Sequence, residues 1–145
     1  VPVRIGDTVS FLVNAVSSNA NKSYIRFTAT ISESPFLTGD IDQATERALL
    51  KSGQPLRSDW LLAPHHGSRS SSSMAFLQAV QAHSVLISRG NHNSYGHPHP
   101  LVLARYQQLG LEMHDTVRDG ALWIDLGSRG RAFGMRNEAR FWREK

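Results

Sequence analysis

Five of the seven histidines fall in two short stretches of this 145-residue chain: His65 and His66 stand side by side, and His92, His97 and His99 lie within residues 89–99. Neutral imidazole is a metal ligand, and together with a carboxylate it suits zinc, manganese or iron. Asp40 is the carboxylate placed to join them, because it follows a short apolar stretch, as both histidine clusters do. The chain has no cysteine, which excludes thiolate ligands and cysteine nucleophiles. Neighbouring side chains of extended backbone point to opposite faces, so one of His65 and His66 is expected to ligate and the other to support it or face substrate. Asp40 also stands where the N-cap of a helix beginning at Ile41 would stand, so capping competes with ligation. His92 reads as an exposed loop residue, and His83 and His114, beside strands, read as structural.

The run from Gly67 to Ser73 follows the histidine pair and leads into a helix. Ser68, Arg69 and Ser70, beside the free N–H groups of a helix N-terminus, suit a phosphate group. A serine-rich linker capped by Ser73 is the competing reading.

These groups need elements to position them. Thr8 to Val13 and Ser23 to Thr30 read as strands from their β-branched and aromatic content, and Phe36 to Thr38, Trp60 to Ala63 and Ser84 to Ser88 as short buried strands. Between them, Ile41, Ala44, Ala48 and Leu49 define one helix face and Met74, Phe76, Leu77 and Val80 a second. Pro100 opens a third helix, through Val102, Tyr106 and Leu109 to Gly110. Leu111 to His114, Ala121 to Leu126 and Arg131 to Met135 read as closing strands, the middle one after a turn at Arg118-Asp119-Gly120. Alternating strands and helices imply an α/β fold with a partly parallel sheet. Ligands of such sheets gather beyond the carboxyl ends of the strands, which is where Asp40, His65-His66 and the loop 89–99 fall.

With 40% apolar and 19% charged residues the chain suits a single globular domain. No apolar run is long enough to span a bilayer. Residues 1–126 are charge-balanced, so the net +4 comes from the last 19 residues, where Arg129, Arg131, Arg136, Arg140, Arg143 and Lys145 outnumber Glu138 and Glu144. Such a tail suits an anionic partner such as nucleic acid, or simply a solvated end.

Thr38-Gly39-Asp40-Ile41, Ala63-Pro64-His65-His66-Gly67-Ser68-Arg69, Asn93-Ser94-Tyr95-Gly96-His97-Pro98 and Arg118-Asp119-Gly120-Ala121 occur in that order. Over about residues 5–126 they closely resemble the metallo-β-lactamase-like domain of the ComEC family of DNA-internalisation competence proteins. The resemblance implies an αββα sandwich with a mixed sheet covered by helices, and a site for one or two divalent ions, zinc or manganese. It also implies a parent with a membrane channel that imports single-stranded DNA, and a soluble domain on the exported, periplasmic or extracellular side. The implied activity is a metal-dependent nuclease that degrades the strand not imported. Asp40 matches the family's metal-bridging aspartate, and His66 or His65 its late histidine ligand. His97 matches the histidine of the Tyr-Gly-His-Pro loop, whose role is ligand, proton donor or phosphate contact.

Two departures stand against a complete site. The superfamily's His-x-(His or Asp)-x-Asp-His cluster is absent and would precede Val1, and where the family often carries Leu-His-Pro this chain reads Asn14-Ala15-Val16. Residues 1–136 are therefore expected to be the C-terminal part of such a domain, followed by a basic tail at 137–145 and inactive alone. The alternative is a non-catalytic DNA-guiding or binding module with a degenerate site. A part-domain would expose an apolar sheet face, so homo-oligomerisation is expected.

Overall fold

In the computed structural model, residues 8–15, 23–30, 33–126 and 130–136 are described. Arg129 and the tail from Asn137 on, with Arg140, Arg143 and Lys145, lie outside them. The strands form two four-stranded sheets. In the first, β1 (Thr8–Ala15) pairs antiparallel with β2 (Ser23–Thr30), Thr8 opposite Thr30. β2 runs parallel to β7 (Leu122–Asp125), which pairs antiparallel with β8 (Arg131–Gly134). The second sheet is wholly parallel, in the order β3 (Pro35–Phe36), β4 (Trp60–Leu62), β5 (Ser84–Ile87), β6 (Glu112–Asp115).

Each parallel step is bridged by a helix: α1 (Gln43–Lys51), α2 (Met74–Val80) and α3 (Pro100–Gln108). Crossovers of one hand that always step the same way lay their helices on one face of the sheet. The side chains agree with this. Leu61, Ala63, Val85 and Ile87 pack on that face against Phe76, Leu77 and Val80 of α2 and Val102 and Tyr106 of α3. The alternate residues Trp60, Leu62 and Leu86 face the other way and meet Leu122, Ile124 and Leu126 of the first sheet. The central strands are thus buried on both sides, as their unbroken apolar runs require. Each such side chain contributes about 1.5–3 kcal/mol of burial.

Three local expectations are corrected. Ala44 and Ala48 of α1 are exposed, while Glu46 on the same helix is fully buried; Leu49 and Leu50 supply the apolar contact with Ile41. The cap of α1 is Asp42, not Asp40: its carboxylate accepts from the Thr45 N–H at 2.9 Å and the Thr45 hydroxyl at 3.0 Å. Arg118-Asp119-Gly120 is no simple turn, since Arg118 and Asp119 end a short helix, α4 (Thr116–Asp119), and Gly120 follows at φ +79°. Among the described residues no helix is long and apolar enough to cross a membrane.

Candidate functional site

The carboxyl ends of β3, β4 and β5 are tied into one rim by hydrogen bonds, the Ala63 N–H donating to the Leu86 carbonyl at 2.8 Å between β4 and β5. The Thr38 hydroxyl donates to the Leu62 carbonyl at 2.8 Å, and the His65 N–H donates to the Gly39 carbonyl at 2.9 Å. Asp40, released from capping, is exposed and brings Oδ1 to 3.5 Å from His66 Nε2.

His65 and His66 do not sit in extended chain, which corrects the alternation argument. Residues Pro64–Gly67 form a tight turn in which both histidines are left-handed, at φ 47° and 57°. Such backbone costs on the order of 1–3 kcal/mol per residue and persists only where the surroundings over-determine it. Here the Ser71 hydroxyl donates to the Pro64 carbonyl at 2.8 Å, the Ser68 N–H to the His65 carbonyl at 2.9 Å and the His99 N–H to the Gly67 carbonyl at 2.8 Å. A Cβ on Gly67 would come within 2.6 Å of Pro98 Cβ, so that contact requires glycine.

The turn sends the two rings apart. His66 Nδ1 lies 2.7 Å from the Ser88 carbonyl. A carbonyl only accepts, so Nδ1 carries a proton and Nε2 is the nitrogen turned toward Asp40. Nε2 and the carboxylate, 3.5 Å apart and both open to solvent, can be bridged by a proton, a water or a cation. Histidine ligands of metals typically donate their second nitrogen to a backbone carbonyl in this way. Asp40 and His66 therefore fit two positions of a divalent-ion shell. Among the described residues no group of three or more histidine, aspartate or glutamate side chains is placed to hold an ion.

His65 turns instead toward His97, with ring centroids 5.9 Å apart, against 6.4 Å to His66. The loop bearing His97 is clamped by Asn93, whose side-chain oxygen accepts from the His97 N–H at 2.8 Å and whose amide donates to the His97 carbonyl at 2.9 Å. The His97–Pro98 peptide is cis. Burial, then the neighbouring rings of His65, His66 and His99, pull the His97 pKa below the ordinary histidine value. Nδ1 of His65 and of His97 are buried without a hydrogen-bond partner among the described residues.

The remaining sequence candidates separate. His99 caps α3, its Nδ1 accepting from the Leu101 N–H at 3.2 Å, and His92 is exposed. His83 and His114 pack on Trp60 at 4.9 and 5.9 Å. In the serine run, Ser71 and Ser72 are fully buried, and the N–H groups leading into α2 are engaged. The Glu46 carboxylate accepts from the N–H groups of Ser72 at 2.5 Å and Ser73 at 2.9 Å, and the Ser72 hydroxyl pairs with Tyr106 at 2.7 Å. Those donors are therefore not free for a phosphate. Arg69 and Ser70 are exposed and Ser68 is buried.

Sequence reasoning missed Glu46, Asn93 and the Ser88 carbonyl, because ligand-orienting bonds leave no spacing signature. It also missed the pairing of Arg89 with Asp115, through Nη2 at 2.6 Å and Nε at 2.7 Å, which joins the ends of β5 and β6. The Thr116 hydroxyl donates to the Arg89 carbonyl at 2.9 Å and completes that join.

Known proteins similar to the chain are competence proteins and one uncharacterised protein. ComE operon protein 3 of Bacillus subtilis (strain 168) is 31% identical over 119 residues, 82% of this chain and 15% of that protein. Competence protein ComA of Neisseria gonorrhoeae is 38% identical over 111 residues, 75% of this chain and 16% of that protein. The uncharacterized protein YcaI of Escherichia coli (strain K12) is 34% identical over 95 residues, 65% of this chain and 13% of that protein. The chain thus spans 13–16% of the length of these relatives. No family profile and no solved structure matches it.

Proposed function

Because this chain is a ComEC-related domain, we propose that it serves a competence DNA-uptake protein as part of a metal-dependent phosphodiesterase domain of metallo-β-lactamase-like αββα architecture. Its task in the parent is to degrade the DNA strand that is not imported, on the exported side of the membrane beside the channel portion of the same protein. The observation that carries the reading is the facing pair, with His66 oriented by the Ser88 carbonyl and Nε2 set 3.5 Å from Asp40.

Asp40 and His66 would hold zinc or manganese, with His65 lending bulk and dipole beside them. The ion, when bound, supplies Lewis-acid activation and charge stabilisation for attack on a phosphodiester. His97, whose pKa is lowered by burial and by the neighbouring histidine rings, is suited to exchange a proton with a reacting oxygen or to contact phosphate. Arg69 and Ser70 face solvent next to the turn and can engage a neighbouring phosphate, with Ser68 behind them.

Calorimetric titration with zinc and with manganese tests this. Stoichiometric binding is expected, weakened at least tenfold by Asp40→Ala and by His66→Ala, about the effect of losing a ligand or its support. Binding that both variants leave unchanged would refute the site.

A non-catalytic DNA-guiding module is favoured by one observation, the absence among the described residues of a third converging ligand. It predicts salt-dependent DNA binding that survives chelation. Trp123 and Phe133, opposite each other on β7 and β8 and both exposed, offer apolar surface for self-association of the chain, which sedimentation at rising concentration checks.

A further inference from the structure

We propose that Tyr95 is a nucleobase-stacking residue, holding an unpaired base of a single-stranded substrate beside the histidine cluster. This inference rests on the reading above that the rim handles DNA, and it names the form of DNA. Aromatic side chains contribute most when buried, yet Tyr95 is 81% exposed, against 50% for Leu101 and 42% for Trp123. Its exposure is not slackness of the loop. Asn93 clamps the backbone of His97 from both sides, and the Asn93 amide also donates to the Gly90 carbonyl at 3.4 Å.

The Tyr95 ring lies nearly parallel to His97, at 22° with centroids 5.9 Å apart, and His97 in turn meets His65 at 5.9 Å. One ring thus rests on the cluster and leaves most of its surface to solvent, a flat aromatic step at the edge of the proposed site. A base paired inside a duplex has both faces covered by its neighbours, so only an unstacked base can use such a step. Stacking on one aromatic is tolerant of base identity, as a strand-degrading enzyme requires. Trp123 and Phe133 are exposed as well, but they lie on the other sheet, where Arg131 sits over Phe133 at 5.7 Å.

The test measures binding of two labelled oligonucleotides of equal length and charge to the whole chain at low salt with a chelator present. One is a mixed-sequence single strand and the other carries abasic sugars throughout. The wild type is expected to bind the base-bearing strand about tenfold more tightly than the abasic one. Tyr95→Ala should remove that difference while leaving abasic binding unchanged, and Tyr95→Phe should keep it within twofold. The ring is exposed, so both variants should keep the fold, and circular dichroism checks it.

Equal wild-type binding of the two strands, or a base preference that survives Tyr95→Ala, would overturn the stacking role while leaving the DNA reading of the rim in place. Loss of both strands together in Tyr95→Ala would overturn it too, since backbone contact would then be its work. Failure of the wild type to bind either strand would overturn both readings.

Discussion

The two ends of the helix-bearing sheet rim treat their polar groups in opposite ways. Where α1 meets α2, the buried Glu46 carboxylate takes two N–H groups, the Ser72 hydroxyl takes Tyr106, and Arg105 donates to the carbonyls of Ser71 at 3.2 Å and Ser72 at 2.9 Å. Each group there has a partner. Burial also drives the Tyr106 phenol far above its ordinary range, so it stays a neutral hydrogen-bonding group. At the histidine end, among the described residues, His65 Nδ1, His97 Nδ1 and the Ser88 hydroxyl are buried without partners, and His66 Nε2 faces the Asp40 carboxylate at 3.5 Å; His114 Nε2, beside Trp60, is the one such atom away from the site. Satisfied polar groups hold a fold together, and unsatisfied ones cost stability unless something else uses them. The contrast distinguishes the two ends of the rim without reference to any relative.

The contrast is broken most directly at Glu46. Glu46→Ala should destabilise the chain by about 3 kcal/mol, because it strands the buried N–H groups of Ser72 and Ser73 and opens a void. Glu46→Gln, which can still accept one bond, should cost roughly half as much. Urea denaturation of the two variants checks this, and equal small effects would show that the carboxylate is not a structural keystone.

Gly67→Ala should cost about 2 kcal/mol, since the new methyl meets Pro98 at 2.6 Å on backbone already at φ +83°. The loss should fall on the turn first. Hydrogen exchange at the Ser68 and His99 amides should accelerate before the sheet is affected, and uniform acceleration throughout would argue against a locally strained turn.

A smaller effect is gated by pH. Burial alone would raise the Asp119 pKa, but hydrogen bonds from Arg118 and from the Asp115 N–H, with the Arg118 charge, hold it below its ordinary 3.8. The folded state thus binds that proton less readily than the unfolded chain, so this stabilisation is present above pH 3.8 and is lost as pH falls through the depressed folded value. His114 acts higher on the scale. Burial depresses its pKa from 6.5 more than Glu112 and Asp119 raise it, so its contribution is complete above that value and fades as pH drops below it. Asp119→Asn should flatten the first slope of stability against pH and His114→Phe the second.

Much of the scaffold was legible in the sequence because apolar runs and periodicity report burial. The runs at Trp60 to Ala63 and Ser84 to Ser88, the cap at Ser73, the helix start at Pro100, and the rim carrying Asp40, the histidine pair and the loop 89–99 all follow from local pattern. What was not legible depends on partners far along the chain. Nothing in the local pattern marks Glu46 as buried, because its partners lie 26 and 27 positions away. The orientation of His66 was hidden for the same reason, since it depends on a carbonyl 22 positions away. The left-handed turn at His65 and His66 defeated the alternation rule because tertiary bonds, not the preference of histidine, impose it.

The smallest expected change in stability carries the most information about the site. Asp40→Asn replaces the carboxylate that faces His66 Nε2 at 3.5 Å with an amide that can donate to it. If Asp40 were structural, losing its charge would weaken the fold as at Glu46. If the pair is kept for a cation, the amide can still hydrogen-bond Nε2, and stability measured without metal should stay within about 0.5 kcal/mol of the parent. Zinc or manganese affinity should meanwhile fall at least tenfold, since the amide carries no negative charge to the ion. A stability loss above about 1 kcal/mol with affinity unchanged would place Asp40 with Glu46 among the scaffold groups and erase the distinction between the two ends of the rim.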